Sequence, residues 1–262
     1  MKNLLIFILS FNFVLSSDNF EIVLEDSGVE PFKIIIDREK LKDIAIRIWS
    51  NECGKTKEDK LKNLIHWNEH EDHASIGIMH FTWYKYAVEN DQFPLLREYI
   101  KNETGKMLPK SLNGLCPWKS RKHFLREVNS KKVQVLKQFL LDTVVLQAKF
   151  LILERFKNVL RKMNEMFGSE GQMDLVRQQF FRILGLPDGL FIILDTLNMS
   201  GEKGLYNTLK QLTGSSNESA LDEFKRARIN RFNFLVETNP KLKIFYNGWL
   251  NRINCYGETC NS

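Results

Sequence analysis

Apolar residues recur at helical spacing through the middle of this chain, and that pattern constrains the fold more than any other feature. Between residues 131 and 166 they fall three or four positions apart, which places them along one side of an α-helix. The positions are Val135, Leu136, Phe139, Leu140, Leu146, Phe150, Leu153 and Phe156. We therefore predict one long helix through the core of a mainly helical domain.

Further helices are predicted toward the C-terminus, where apolar periodicity returns between breaking residues. The segments are 172–184, 188–198, 203–213 and 218–237, and the breaks fall at Pro187, Gly201, Gly214 and Pro240. No period repeats and no low-complexity linker divides the chain. We predict one mainly helical domain of α+β class over residues 38–262.

Strand-favouring residues occupy the start of the mature chain. Residues 20–24 and 32–36 are rich in Ile, Val, Leu and Phe, with turn-forming residues between them, so we predict a β-hairpin appendage within 18–37. Asp37 is positioned to cap a following helix that Gly54 would end. A second short helix is predicted over residues 61–67.

The first seventeen residues have the pattern of a secretory signal. Lys2 supplies the positive start, the run from Leu4 to Leu15 is apolar, and two serines provide small residues for cleavage. The run is too short to span a bilayer comfortably, and no later segment is apolar over a spanning length. We therefore expect a secreted or periplasmic protein with no membrane span.

The four cysteines are compatible with two disulfides if the chain is exported. Cys255–Cys260 would close a short loop, and Cys53–Cys116 would then tie the end of the first helix to a later segment. Four free thiols are the alternative. Lys and Arg number 38 and Asp and Glu 32, giving a formal charge of +6. This mild excess suits an anionic cell-wall polymer, and we expect no nucleic-acid partner.

Two carboxyl groups point to glycosidic bond cleavage. Glu52 lies where the first helix is predicted to end, beside apolar Trp49, and we expect burial and the negative helix end to keep it protonated. Glu71 lies in a polar turn beside Asp72 and is expected to stay ionised. Such a pair can act as general acid and base on a glycoside, with the Ser75 hydroxyl helping to hold a water.

A resemblance to a known family rests on two blocks of sequence. They are residues 48–54, Ile-Trp-Ser-Asn-Glu-Cys-Gly, and residues 66–84, which include Ser-Ile-Gly-Ile-Met-His-Phe-Thr-Trp-Tyr. These blocks resemble the lysozyme-like superfamily, including chitosanases. They are similar above all to a group of exported bacterial proteins that includes a lysozyme specific for de-N-acetylated peptidoglycan. His70 and Met79 depart from that group, in which glycine is usual at both positions.

The resemblance implies a lysozyme-like helical domain with a β-hairpin at its active site, and it assigns roles by position. Glu52 matches the catalytic acid, Glu71 the second carboxylate and Ser75 the hairpin hydroxyl. The expected substrate-binding residues are His80, Trp83, Tyr84, Asp195 and Asn198. Core packing is the commoner role for any one tryptophan, and the last two residues could equally cap or break helices. The implied substrate is peptidoglycan or a related amino-sugar polymer, cut by a monomer without metal or cofactor.

Three alternatives stay open at this point. Inversion is predicted if the two carboxyls face each other across a water, whereas lytic transglycosylase chemistry is preferred if Glu71 points away. The bulk of His70 and Met79 favours an exported protein that keeps the fold and binds glycan or a partner without cutting. The third alternative is a zinc site, since His66 and His70 are four residues apart, but the order His-Glu-x-x-His is absent and no metal is predicted.

Overall fold

The computed structural model describes residues 19–26, 29–53, 64–89, 91–156, 159–168, 170–214 and 219–257, without the side chains of 22–26, 29–32, 52–53 and 170–171. The fold is mainly helical with two small β-sheets, which confirms the predicted α-rich class. The strands are β1 (Asn19–Asp26), β2 (Val29–Asp37), β3 (Ile65–His66), β4 (His73–Ile76) and β5 (Phe81–Tyr84). The helices are α1 (Arg38–Cys53), α2 (Gln92–Thr104), α3 (Arg121–Glu127), α4 (Lys131–Asp142), α5 (Val144–Phe156), α6 (Val159–Phe167), α7 (Glu170–Leu184), α8 (Gly189–Leu209), α9 (Ala220–Thr238) and α10 (Lys243–Asn254).

The chain forms two compact units. The first contains Lys33–Leu153 together with residues 19–22, and the second contains Glu154–Ser262 together with residues 23–32. The predicted domain boundaries at 17, 37 and 262 stay predictions, and the signal segment 1–17 lies outside the described residues. Within the described part of the chain, no helix is both long and apolar enough to cross a membrane.

Helix α1 forms as its sequence predicts. Asp37 caps it, since its Oδ1 accepts a hydrogen bond from the Lys40 backbone N–H at 2.6 Å. The apolar stripe of α1 is fully buried and consists of Leu41, Ile44, Ala45, Ile48 and Trp49. The helix ends at Cys53, and residues 54–63 lie outside the described chain. The helix predicted over 61–67 is wrong at its end, because Ile65–His66 pair with β4 as a strand.

A cluster of aromatic rings forms the core beside the three-stranded sheet. Trp83 packs against Phe93 at 4.8 Å and against Trp118 at 5.7 Å between ring centroids, and Trp118 meets Phe124 at 5.0 Å. All four rings are buried. The Trp83 indole N–H donates to the carbonyl of Gly114 at 3.0 Å, which satisfies its only polar atom.

The single long helix predicted over 131–166 is instead three helices, α4, α5 and α6. Gln147 explains the first break, because its buried Nε2 donates to the carbonyl of Leu140 at 2.7 Å and to Thr143 Oγ1 at 3.3 Å. Its Oε1 accepts from the Ile78 N–H at 3.1 Å, in the turn between β4 and β5. One amide therefore ends α4 and anchors the turn. Gly77 fits there with φ of +76°, since a Cβ would lie 2.4 Å from Gln147 Oε1.

The second unit is a set of packed helices built around α8, whose first half is almost entirely buried. The sequence predicts two helices separated by a break at Gly201. The structure has this break inside α8, where Gly201 has φ of +60° and ψ of −171°. A buried carboxylate supports the α9 side of this unit. Glu223 accepts from Arg182 Nη1 at 2.7 Å and from the backbone N–H groups of Thr213 and Gly214. Helix α10 was not among the predicted helices.

The predicted Cys53–Cys116 disulfide is wrong, because Cys116 is a buried free thiol. Burial raises the pKa of that thiol to about 12, so it stays protonated and unreactive at neutral pH. Cys255 is disulfide-bonded. The predicted pairing of Cys255 with Cys260 falls on residue 260, outside the described residues.

Candidate active site

The three-stranded sheet of the first unit has one polar and one apolar face. His66 of β3 pairs with Ser75 of β4, which pairs on its other side with Thr82 of β5, and His73 pairs with Tyr84. Because side chains alternate along a strand, these five residues share one face. The opposite face is buried in the core and carries Ile65, Ala74, Ile76, Phe81 and Trp83.

The turn between β3 and β4 holds Glu71 beside this polar face. Trp67 braces the turn, since its indole N–H donates to the Glu71 carbonyl at 2.8 Å. The Glu71 backbone N–H donates to the Asn68 carbonyl at 3.3 Å. Arg121 of α3 donates through Nε to the Trp67 carbonyl at 3.1 Å. The Trp67 indole and the Arg121 guanidinium of α3 therefore fix the backbone around Glu71.

The Glu71 carboxylate is partly buried and asymmetrically bound. Its Oε1 accepts a hydrogen bond from Asn68 Nδ2 at 2.8 Å. Its Oε2 lies 3.6 Å from His73 Nε2 and has no hydrogen bond among the described residues. Since the Asn68 amide nitrogen is used by Glu71, Asn68 Oδ1 must accept from His66 Nε2, 2.5 Å away. One carboxylate oxygen is thus fixed, and the other carries no donor.

His73 lies between two carboxylates. Its Nδ1 is 3.3 Å from Asp72 Oδ1, and its Nε2 faces Glu71. The ring packs against Tyr84 at 4.7 Å between centroids. Asp72 in turn accepts from the Tyr86 hydroxyl, and this hydrogen bond, more than the weaker one from His73, lowers the pKa of Asp72. These side chains form a continuous chain of polar contacts from His66 to Tyr86.

Tyr84 and Asp91 complete the edge of the site. Asp91 is buried, and its Oδ2 accepts from the Tyr84 backbone N–H at 3.0 Å. Burial raises the pKa of Asp91, despite hydrogen bonds from Tyr84 and Thr82 that oppose the shift. Burial also raises the pKa of the Tyr84 phenol, assisted by the negative charges of Asp72, Asp91 and Glu71. The phenol is therefore a hydrogen-bond donor at neutral pH.

Several predicted site residues come together at this sheet. Ser75 is buried in the middle of the polar face, and His80 is half-buried in the β4–β5 turn with φ of +52°. The His80 ring stacks on His66 at 5.7 Å, which joins it to the Asn68–Glu71 contact. Glu52 is the penultimate residue of α1, as predicted from its position at a helix end. Its side chain lies outside the described residues, and its role stays a prediction.

Two predicted substrate contacts are wrong. Trp83 is fully buried between Phe93 and Trp118, so it presents no ring face to a sugar. Asp195 of α8 is also fully buried: its Oδ1 is 2.6 Å from Arg252 Nη2, and its Oδ2 accepts from the Tyr256 hydroxyl at 2.6 Å. Asp195 stabilises the second unit.

The remaining positions can be located without a functional assignment. Asn198 of α8 is half-buried. Met79 is buried, so its bulk packs inside the protein, whereas His70 is exposed at the turn.

Asn68, His73, Tyr86 and Asp91 were not singled out from the sequence. A signal for His73 was available, because period-2 alternation along β4 places it on the same face as Ser75. The bond between Asp91 and β5 has no such signal, since it depends on how the following loop folds back.

No protein-family model, curated protein or solved structure matches this chain. Among the residues that the structure describes, no group of three or more His, Cys, Asp or Glu side chains is arranged to hold a metal ion.

Proposed function

We propose that this protein is a glycoside hydrolase of lysozyme-like fold that cleaves the glycan strand of peptidoglycan. The observation that carries the proposal is the constrained Glu71 carboxylate, with Oε1 bound by Asn68 and Oε2 without a hydrogen-bond donor, at the end of a polar sheet face. Oε2 is buried in this structure, and we propose that it accepts a proton from a water that enters beside it when substrate binds. The proposed second carboxyl belongs to Glu52, which is the penultimate residue of α1.

In the proposed mechanism Glu52 is the general acid and protonates the leaving glycosidic oxygen. Glu71 is the general base and takes a proton from the water that attacks the sugar from the opposite side, with inversion at the anomeric carbon. The Ser75 hydroxyl helps to position that water. Such a single displacement needs the two carboxyl groups roughly 6.5–9.5 Å apart. Tyr84 on the polar face and His80, whose ring stacks on His66 beside that face, are the proposed substrate contacts.

The charge of the site favours a glycan that carries amines. Glu69, Glu71 and Asp72 follow one another within four positions, and the Tyr86 hydrogen bond lowers the pKa of Asp72 and keeps it ionised. Lysine and arginine are absent from residues 64–84, so the segment is locally acidic although the whole chain is basic. De-N-acetylated peptidoglycan exposes protonated amines, and we propose it as the preferred substrate.

Digestion of purified sacculi tests this proposal. Wild-type protein and Glu52→Gln are incubated with acetylated and with chemically de-N-acetylated sacculi, and soluble fragments are separated and weighed by mass spectrometry. We expect fragments with free reducing ends from wild type, more from the de-N-acetylated material, and a loss of at least about 100-fold in Glu52→Gln. Equal fragment release by both proteins would show that Glu52 is not the general acid.

The same digestion separates the alternatives. Fragments ending in 1,6-anhydro sugars would replace hydrolysis by lytic transglycosylase chemistry. Absence of release from either substrate, combined with retention of the protein on sacculi, would identify a non-cleaving glycan-binding protein.

A further inference from the structure

An exposed apolar cluster lies at the start of α10, and the proposed hydrolysis does not use it. Ile244 is 81% exposed and Phe245 is 51% exposed, in the first turn of the helix. Lys241 and Lys243 lie beside them and are also exposed; Lys241 belongs to the 3-10 helix Pro240–Leu242 that precedes α10. We call these four residues the α10 patch. Exposure of two adjacent large apolar side chains costs free energy in water and often marks a binding surface.

An aromatic stack supports the patch from beneath. The Phe245 ring lies 6.1 Å from Trp249 with an interplanar angle of 25°, and Trp249 lies 4.7 Å from Phe232. Phe232 is buried in α9. The exposed Phe245 is therefore continuous with the core of the second unit, and the patch is presented by packed helices.

The surrounding segment is strongly basic. Residues 224–254 contain a single acidic residue, Glu237, and seven basic ones, which are Lys225, Arg226, Arg228, Arg231, Lys241, Lys243 and Arg252. The formal excess of +6 in this segment equals that of the whole chain. Two of the seven act inside the unit, since Arg228 is fully buried and Arg252 pairs with Asp195. The lysines of the α10 patch point to an anionic partner.

We propose that the α10 patch binds the surface of an anionic phospholipid bilayer. Ile244 and Phe245 would enter the boundary between head groups and acyl chains, while Lys241 and Lys243 would remain at the level of the lipid phosphates. A nucleic acid or an acidic polysaccharide would use the lysines and could stack on an aromatic ring, but neither has an apolar layer to take up Ile244. The combination of aliphatic, aromatic and basic side chains therefore favours a lipid surface.

Vesicle co-sedimentation tests the inference with the full chain. The vesicles are phosphatidylcholine alone or phosphatidylcholine with about 30% phosphatidylglycerol. Wild type is expected to bind the anionic vesicles at least about tenfold more tightly than the neutral ones. Ile244→Ser combined with Phe245→Ser, and separately Lys241→Gln combined with Lys243→Gln, are each expected to weaken anionic binding by about tenfold.

The matched control replaces two other exposed apolar residues of the second unit, Met166→Ser with Leu175→Ser, and is expected to bind like wild type. Thermal melts establish that each variant is folded. The inference is overturned if the Ile244/Phe245 variant binds anionic vesicles as wild type does, or if neutral vesicles bind equally well. Heparin, a soluble polyanion, provides a further check. The inference is also overturned if heparin displaces the protein from anionic vesicles and the Ile244/Phe245 serine variant binds heparin and vesicles as wild type does. Glu52→Gln keeps the patch, so its vesicle affinity is expected to be unchanged whether or not the hydrolase proposal holds.

Discussion

The side-chain amide of Asn68 holds one oxygen of Glu71, with Nδ2 and Oε1 2.8 Å apart. The amide itself is oriented from its other end by His66, whose Nε2 lies 2.5 Å from Oδ1. A carboxyl group that is held by a neighbouring amide loses rotamer freedom. This pairing is what gives Glu71 a defined direction at the end of the sheet.

Replacing Asn68 by aspartate is expected to disturb Glu71 by added negative charge and by loss of the Nδ2 hydrogen bond to Oε1. The new carboxylate would repel Glu71 across a hydrogen-bond distance, favouring its protonated form. Under the proposed mechanism the acidic limb of the pH–rate profile should move to higher pH, and turnover at neutral pH should fall about tenfold. The control is Asn113→Asp, an exposed position in the same unit. An unchanged pH–rate profile in Asn68→Asp would show that Glu71 takes no part in the rate-determining step.

His73 is expected to act on the reaction through Glu71. His73→Phe keeps the packing against Tyr84 but removes both ring nitrogens that face Asp72 and Glu71. We expect turnover to fall about tenfold with little change in thermal midpoint, as is typical when a supporting partner of a functional group is lost. His73→Gln, which keeps one polar end, should recover part of the rate.

The matched control for His73 is His123→Phe. His123 faces Glu127 with Nε2 and Oε1 3.2 Å apart, so it makes the same kind of contact in α3. Equal losses of activity in the two phenylalanine variants would indicate general destabilisation rather than a role of His73 at the site.

Gln147 and Gly77 are expected to be coupled in stability. Gln147→Ala leaves the Ile78 N–H without its acceptor in a buried position, which should cost about 2 kcal/mol. Gly77→Ala places a Cβ against Gln147 Oε1 at positive φ and should cost about 1–3 kcal/mol. Because the alanine at 147 removes the colliding amide, the double variant should lose less than the two single losses combined. Denaturant unfolding of the three variants measures this, and strict additivity would contradict the contact.

How far the sequence predicts this structure depends on the range of the interactions involved. Helix α1 and its Asp37 cap were predictable because periodicity and capping are local. The break between α4 and α5 was not, since it depends on which way the Gln147 side chain turns: Nε2 caps the Leu140 carbonyl while Oε1 is held by the distant Ile78 N–H. Trp83 and Asp195 were misassigned for the same reason: a tryptophan or an aspartate has the same appearance in sequence whether it is buried or lines a groove.

The buried carboxylate of Glu223 should make the stability of the second unit fall as the pH is lowered into the acid range. Burial opposes its ionisation, but Arg182, Thr213 and Gly214 outweigh burial and lower the pKa of Glu223. Since the folded pKa lies below the roughly 4.3 of an unfolded glutamate, the stabilisation is complete above that value and is lost as pH falls through the folded pKa. Glu223→Gln should cost about 2 kcal/mol or more at pH 7.

The pH dependence provides the check on Glu223. The stability difference between wild type and Glu223→Gln, measured by chemical denaturation, should shrink below about pH 4. Glu237→Gln, an exposed position of the same helix, should match wild type throughout. A difference that stays constant between neutral and acid pH would mean that the charge of Glu223 contributes nothing.

The most direct test of the central claim compares two neighbouring glutamates of one turn on the same substrate. Glu71→Gln and Glu69→Gln each remove one negative charge, but only Glu71 is held by Asn68 and faces His73. Reducing-end release from de-N-acetylated sacculi should fall by at least about 100-fold in Glu71→Gln and by less than about threefold in Glu69→Gln, where the side chain is exposed. Equal activity of the two variants would contradict the assignment of Glu71 as the catalytic base.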